Sequence, residues 1–145
     1  MPYDYAIDFR TGDWQFTAGR DFQIVAGEGL IQQRASVRLR IPRGQYQYDE
    51  TGTLGSQLHL TKRYQIDRAL DEIPAIVQEA LDPMEDLTVL EITAEQDRAD
   101  PNVKGDRADP TRINTSIRYT TTLFTGDDET SDDVDTDEEI MDFQL

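Results

Sequence analysis

The stretch of sequence that decides the fold is residues 66–81, IDRALDEIPAIVQEAL. Its apolar residues recur every three or four positions, which places them along one face of an α-helix. These residues are Ile66, Ala69, Leu70, Ile73, Ile76, Val77 and Ala80. Pro74 lies inside the pattern and lacks a backbone donor, so we expect a kink there. Asp82-Pro83 closes the segment, and the stretch therefore predicts the best-defined amphipathic helix of the chain.

Two strand patterns follow this helix. Residues 87–94 are strand-like, and residues 113–123 alternate over a long segment that is rich in β-branched side chains. The polar loop between them contains Asp-Arg-Ala-Asp-Pro twice, at 97–101 and 106–110. Because the motif is repeated only once, it indicates a local duplication rather than a repeat protein. The two strands predict a C-terminal β-hairpin.

The N-terminal segment predicts short strands. Tyr3, Tyr5, Ile7 and Phe9 alternate with polar or small residues, a pattern typical of a half-buried strand. Turn residues then interrupt short extended pieces, so we expect a small meander that ends near Gly27.

Residues 29–40 fit two interpretations. Leu30, Arg34, Val37 and Ile41 have the spacing of a helical stripe, whereas the alternation over 37–41 suits a strand. The length and the helix-favouring Gln-Gln-Arg-Ala run favour a helix that ends before Pro42.

These elements predict an α+β fold with small N-terminal strands, two helices and a C-terminal β-hairpin. The predicted domain spans residues 1–125, and residues 126–145 form an acidic tail with an apolar tip.

The charge is distributed unevenly. Of the net charge of -16, the segment 127–145 contributes ten acids and no base, whereas the rest of the chain carries 20 acids and 14 bases. Such a surface argues against direct nucleic-acid binding, and no apolar run is long enough to span a membrane. The 20 Asp against 10 Glu, and 12 Arg against 2 Lys, are typical of proteins that work in concentrated salt and indicate a halophilic source. GC-biased coding with one acidic tail is the alternative.

The residues available for catalysis predict neither an enzyme nor a cofactor. The chain has no cysteine and a single histidine, His59, which cannot build a zinc site alone. Glu28 and Glu50 are one nominal carboxylate pair for a glycosidase, but solvated acids are the simpler interpretation. Residues 133–137 copy the start of a calcium loop, but the glycine and the final acid of that loop are missing.

Two segments suggest protein interfaces. Arg34, Arg38, Arg40 and Arg43 form the one basic concentration, which suits a protein interface or, equally, a solvated helix face. The tail ends with apolar residues after its acidic run, as expected of a segment that docks in a groove or adds a strand to a partner. These residues are Ile140, Met141, Phe143 and Leu145.

The order of several short motifs resembles a known family. Asp21-Phe22 precedes Gly27, and then come GLIQ at 29–32, LRIPRGQ at 39–45 and GSQL at 55–58, followed by the amphipathic helix and the hairpin. This order, over about residues 4–124, resembles the lysozyme-like baseplate wedge family of tailed phages. The family is also called the sheath-initiator family and has relatives in type VI secretion and other contractile injection systems. Ile41 and Gln45 replace the commoner Thr and Glu of its motif.

The resemblance implies a non-enzymatic role in the baseplate of a virion, assembled in the host cytoplasm. Members are present in several copies, bind wedge and hub proteins around the tail tube, and offer strands that template the sheath. It implies interface roles for Pro83, which stands in Asp82-Pro83-Met84 where many members have Glu-Pro-Arg, and for Ile117 and Tyr119 on a strand that adds to neighbours. The alternatives are a muralytic glycosidase, which rests on the family's historic label, and an acidic adaptor whose tail binds a basic partner.

Overall fold

The computed structural model describes residues 2–98, 102, 104, 105, 112–121 and 139–144. The α+β fold class is confirmed. The strands are β1 (Tyr3–Tyr5), β2 (Ile7–Asp8), β3 (Asp13–Trp14), β4 (Ile24–Ala26), β5 (Leu87–Gln96), β6 (Ile113–Thr121) and β7 (Glu139–Gln144). The helices are α1 (Gly27–Arg40), the short α2 (Leu58–Thr61) and α3 (Ile66–Leu81).

Helix α3 forms as the sequence predicts and supplies much of the core. Its fully buried residues are Ala69, Ile73, Val77, Ala80 and Leu81. The helix continues unbroken through Pro74. Its buried face packs on β5 and also contacts α1 and α2. Burial of each large side chain contributes about 1.5–3 kcal/mol, so this face is a main source of stability.

The C-terminal sheet has three antiparallel strands in the order β5-β6-β7. The predicted hairpin is present as β5 and β6, and β7 is a third strand contributed by the tail. Ile117 lies opposite Ile92 on one side and Met141 on the other. Strand β6 is therefore paired along both edges. The expectation that residues 113–124 offer a free strand edge is wrong for the described part of that strand.

Residues 27–40 form a helix, which confirms the preferred interpretation of this segment. The predicted stripe is correct for Leu30, which is buried, and wrong for Arg34, which is exposed. The residues of α1 in the core cluster are Ile31, Ala35 and Leu39. The pattern misleads because α1 has covered surface on two sides and also buries a polar residue, Gln33.

The N-terminal meander consists of two two-stranded antiparallel pairs, β1-β4 and β2-β3. Tyr3 and Tyr5 were expected on the covered face, but both are exposed, and Ala6 is the buried residue instead. Ala6 lies between β1 and β2, where its backbone accepts from Gln15 N and donates to Gln23 O. The small side chain thus faces inward, and the aromatic rings face outward.

Candidate protein interface

A groove of about 830 Å³ runs between α1, the N-terminal meander and the turn after α3. Arg34, Val37 and Arg38 line it from α1, and Pro83 and Asp86 line it from the turn. Three of the residues predicted to form interfaces, Arg34, Arg38 and Pro83, therefore share one concave surface. Clefts of this size are common binding sites.

Internal contacts hold both arginines of the groove in place. The guanidinium Nη1 of Arg34 lies 3.7 Å from Asp86 Oδ2, and the side chains of both residues are partly exposed. Arg38 Nη1 donates to the backbone oxygen of Thr53 at 3.3 Å. An exposed ion pair of this kind contributes about 0–1 kcal/mol to stability, so a partner's carboxylate could compete for Arg34 at little cost.

The other two predicted arginines lie outside the groove lining. Arg40 is placed over the ring of Phe9, with 5.0 Å between its Cζ and the ring centroid. Arg43 forms an ion pair with Glu79 of α3. The four arginines thus do not form one basic patch, and each joins α1 or the loop after it to another element.

The turn after α3 presents Pro83 to solvent and buries the next residue. Pro83 is exposed, whereas Met84 is only 7% exposed and belongs to the core cluster. An arginine would not be tolerated at position 84 in this arrangement without moving out of the core. The turn therefore departs from the Glu-Pro-Arg pattern for a packing reason.

The two motif segments at 39–45 and 55–58 contact each other and close the loop between them. They do not form a reactive site. Ser56 Oγ donates to Leu39 O at 2.7 Å, and Ser56 N donates to Ile41 O at 2.8 Å. Gly55 has a φ of +101°, and a Cβ placed there would lie 2.4 Å from Ile41 O. Only glycine fits such a close approach of two backbone segments.

The motif residue Gln32 joins α1 to the C-terminal sheet. Its Nε2 donates to Tyr119 Oη at 2.7 Å and to Glu28 Oε1 at 2.8 Å. Burial, together with the negative charge of Glu28, raises the pKa of Tyr119 above its ordinary value. These groups form a structural hydrogen-bond network between elements that are distant in sequence.

The predicted interface residues of the C-terminal sheet differ in exposure. Ile117 and Tyr119 are fully buried within the chain, while Ile140 on β7 is 64% exposed. Phe143 lies in β7 opposite Thr115, and Leu145 lies outside the described residues. Of this group, Ile140 on β7 is the residue whose side chain is mostly exposed to solvent.

Comparison with known protein families identifies the family of this chain. The family model of the contractile injection system sheath initiator matches residues 3–104. The chain belongs to the sheath initiator family. The match covers the meander, all three helices and β5, whereas β6 and β7 lie beyond it. A search of curated proteins found no match.

The family assigns this sheath initiator a structural role in a contractile injection system, and thus in a phage-tail-like particle with other tail or sheath components. Glu28 and Glu50, the nominal glycosidase pair, have different surroundings: Glu28 bonds to Gln32, and Glu50 is exposed in the loop after α1. Neither residue lines the groove.

Among the residues that the structure describes, no three acidic or histidine side chains gather as a metal site. Within the same residues, no helix has the length and apolar character needed to cross a membrane. The calcium-like segment 133–137 lies outside the described residues.

Sequence reasoning missed one surface of the sheath initiator. Tyr5, Trp14, Phe16 and Phe22 form a continuous group of exposed rings on the N-terminal meander. The available signal was the density of aromatic residues among turns, in strands too short to have a buried face.

Proposed function

We propose that this protein is a structural baseplate subunit of a viral tail or related injection system. It links the tube and hub to the wedge proteins and starts sheath assembly by strand addition. Several copies surround the tail in the finished particle, after assembly in the host cytoplasm. Family membership supports the coarse role, and the two contacts below are assigned from the geometry.

The observation that carries strand addition is the position of β7. It pairs with β6 over six residues, and no described residue pairs with its other side. An outer strand with unpaired backbone groups is a template for a strand from another chain. Ile140, which is mostly exposed, stands on this strand and offers an apolar contact to the incoming chain.

The opposite edge of the sheet is less suited to this role. Strand β5 also lies at an edge, but its register is interrupted between Val89 and Glu91. Such a bulge increases the local twist and interrupts regular pairing. We therefore assign strand addition to β7.

Strand addition is tested by removing β7 in the producing system. Deletion of residues 139–145 removes the template, so purified particles should lack ordered sheath. Thermal unfolding checks that the variant is folded, because the deletion also removes the buried side chain of Met141. The matched control is Asp142→Asn, an exposed position of the same strand, which keeps the backbone template and should leave the sheath unchanged. Sheaths of normal length on particles that contain the deletion variant would overturn the assignment.

The groove supports a contact with a wedge protein. The Glu-Pro-Arg pattern that the family resemblance implies has an arginine directly after the proline, but Met84 occupies that position here and is buried. Arg34 reaches the same groove from α1, pairs with Asp86, and lines the groove together with Pro83. We assign to Arg34 the guanidinium that binds an acidic residue of the wedge.

The groove contact is tested by charge reversal. Arg34→Glu should sharply reduce the number of copies incorporated per particle, because it repels the partner's carboxylate. Arg63→Glu is the matched control, since Arg63 is exposed and does not line the groove.

A charge-swapped variant separates partner binding from internal pairing. Arg34→Asp combined with Asp86→Arg restores an ion pair across the groove but moves the positive charge to the other side. Incorporation should remain low in this variant. Full recovery would show that only the internal pair matters and would contradict the assignment.

A further inference from the structure

The N-terminal meander carries an exposed aromatic surface, defined as Tyr5, Trp14, Phe16 and Phe22. Each side chain is between 46% and 55% exposed. These rings account for four of the ten large apolar side chains found exposed among the described residues, and Tyr3 and Ile24 of the same meander are two more. The segment before α1 thus contains most of the exposed large apolar groups of the described chain.

The four rings contact one another. Phe22 lies centrally, with its ring centroid 5.1 Å from both Tyr5 and Phe16 and 6.3 Å from Trp14. Tyr5 and Trp14 meet edge to face at 5.9 Å. Edge-to-face and tilted aromatic pairs attract each other beyond the effect of the area they bury, so the rings form one surface rather than separate side chains.

The size of the aromatic surface is that of a functional patch. Aromatic side chains of 150–250 Å² that are about half-exposed present roughly 400 Å² in total. The largest apolar patches on monomeric proteins are about 300–600 Å² and are often binding sites. None of the four rings lines the groove, so this surface is separate from the proposed wedge contact.

Charge identifies the occupant. The meander that carries the rings is acidic on balance, since residues 2–26 contain four Asp and two Arg. Asp13 and Asp21, both exposed, are the sequence neighbours of Trp14 and Phe22. An acidic partner would be repelled, whereas a guanidinium binds carboxylates and also stacks on aromatic faces. The chain already shows this contact internally, since Arg68 lies 4.1 Å above the ring of Tyr64.

We infer that the aromatic surface is a docking site for an arginine-bearing segment of a partner protein. Guanidinium groups lie over the rings, the negative charge of the meander, including Asp13 and Asp21, favours a cationic segment, and the apolar residues of the segment cover the rest. This interaction is independent of β7 and of the groove, so it does not depend on the proposed function.

Trp14 allows a direct test because it is the only tryptophan in the chain. The full-length protein is titrated with a ten-residue peptide of alternating Arg and Leu while Trp14 fluorescence is followed. The matched peptide has Glu in place of Arg. The Arg peptide should shift the emission and bind at least about tenfold more tightly than the Glu peptide, a difference of about 1.4 kcal/mol.

Variants locate the binding. Phe16→Ser with Phe22→Ser should weaken binding of the Arg peptide about tenfold, and Asp13→Asn with Asp21→Asn should reduce the preference for Arg over Glu. Tyr48→Ser is the control, because Tyr48 is 72% exposed in the loop after α1. Thermal unfolding checks that each variant is folded.

Three outcomes would overturn the inference. The first is equal binding of both peptides, and the second is no emission change with millimolar Arg peptide. The third is concentration-dependent dimerisation that shifts Trp14 emission and disappears in the Phe16→Ser, Phe22→Ser variant. That result would assign the surface to a second copy of this chain.

Discussion

The side chain of Gln33 in α1 forms a hydrogen bond with the backbone of Ile7 in β2. The backbone N–H of Ile7 donates to Gln33 Oε1 at 2.9 Å, and Gln33 Nε2 donates to the carbonyl of Tyr5 at 2.9 Å. Gln33 is buried in α1, so one side-chain amide satisfies two backbone groups and attaches the meander to the helix. This attachment positions the aromatic surface relative to the rest of the domain.

Replacing this amide should loosen the meander. Gln33→Leu leaves the Ile7 donor and the Tyr5 acceptor without partners, which should cost about 2 kcal/mol in the free energy of unfolding. Urea unfolding followed by Trp14 fluorescence measures the loss. Gln33→Glu keeps the acceptor for Ile7 and should cost less than Gln33→Leu; an equal or smaller cost for Gln33→Leu would contradict the role of these bonds.

The contact between Gln32 and Tyr119 gives a second prediction. Tyr119→Phe removes the hydroxyl that accepts from Gln32, and should lower the free energy of unfolding by about 1 kcal/mol at pH 7. The ring remains in place in this variant, so the core packing is kept.

The same pair predicts a pH dependence. Burial and the charge of Glu28 raise the pKa of Tyr119 in the folded state, so the unfolded chain loses this proton first as pH rises past its ordinary value of about 10. The stabilisation is complete below that pH and is lost as pH rises through the folded pKa. Unfolding at pH 8, 9.5 and 10.5 should show the advantage of wild type over Tyr119→Phe shrinking with pH; a constant or growing gap would refute this.

Thr115 predicts a stabilising substitution. It lies on the core face of β6 at 1% exposure, and its Oγ1 has no hydrogen-bond partner among the described residues. Thr115→Val replaces the hydroxyl by a methyl group of similar shape, and should raise the free energy of unfolding by about 1 kcal/mol. Thr93→Val, on the outer strand β5, is the control for strand propensity. A decrease for Thr115→Val would show that the hydroxyl has a partner.

The regular periodicity of α3 and β6 made both elements predictable from the sequence. Their buried residues alternate at the helical and strand periods because each has a single covered face. In the meander the predicted face is wrong for Tyr3 and Tyr5, which are exposed, whereas Ile7 and Phe9 are half-buried and Ala6 is buried. The pairing of β7 was not predictable, because the acidic segment between β6 and β7 carries no periodic signal that sets a register.

The candidate site was predictable only in part. Residue type points to Arg34 and Arg38, and the family motif points to Pro83, but the groove that they share depends on how α1 packs against the turn after α3. The alternating pattern places Ile117 and Tyr119 on a strand, but the strand's place in its sheet decides whether its edge is free.

The charge of -16 predicts a strong effect of salt on stability. Raising NaCl from 0.1 M to 1 M shortens the screening length from about 10 Å to about 3 Å and weakens repulsion between the acids. The melting temperature should therefore rise. A variant with the eight acids of 127–138 changed to Asn or Gln should show a smaller rise in melting temperature. Equal rises would mean that the repulsion is between acids elsewhere in the chain.

Gly55 and Gly52 form a matched pair for the loop after α1. Both have positive φ, +101° and +67°, but a Cβ at Gly55 would lie 2.4 Å from Ile41 O, whereas a Cβ at Gly52 meets nothing within 4 Å. Gly52→Ala should therefore cost only the strain of the left-handed backbone, about 1–2 kcal/mol. Gly55→Ala should cost more, because it also forces apart the backbone segments that Ser56 joins. The difference in melting temperature between the two variants measures that contact, and a smaller loss for Gly55→Ala would contradict the role of Gly55 in closing the loop.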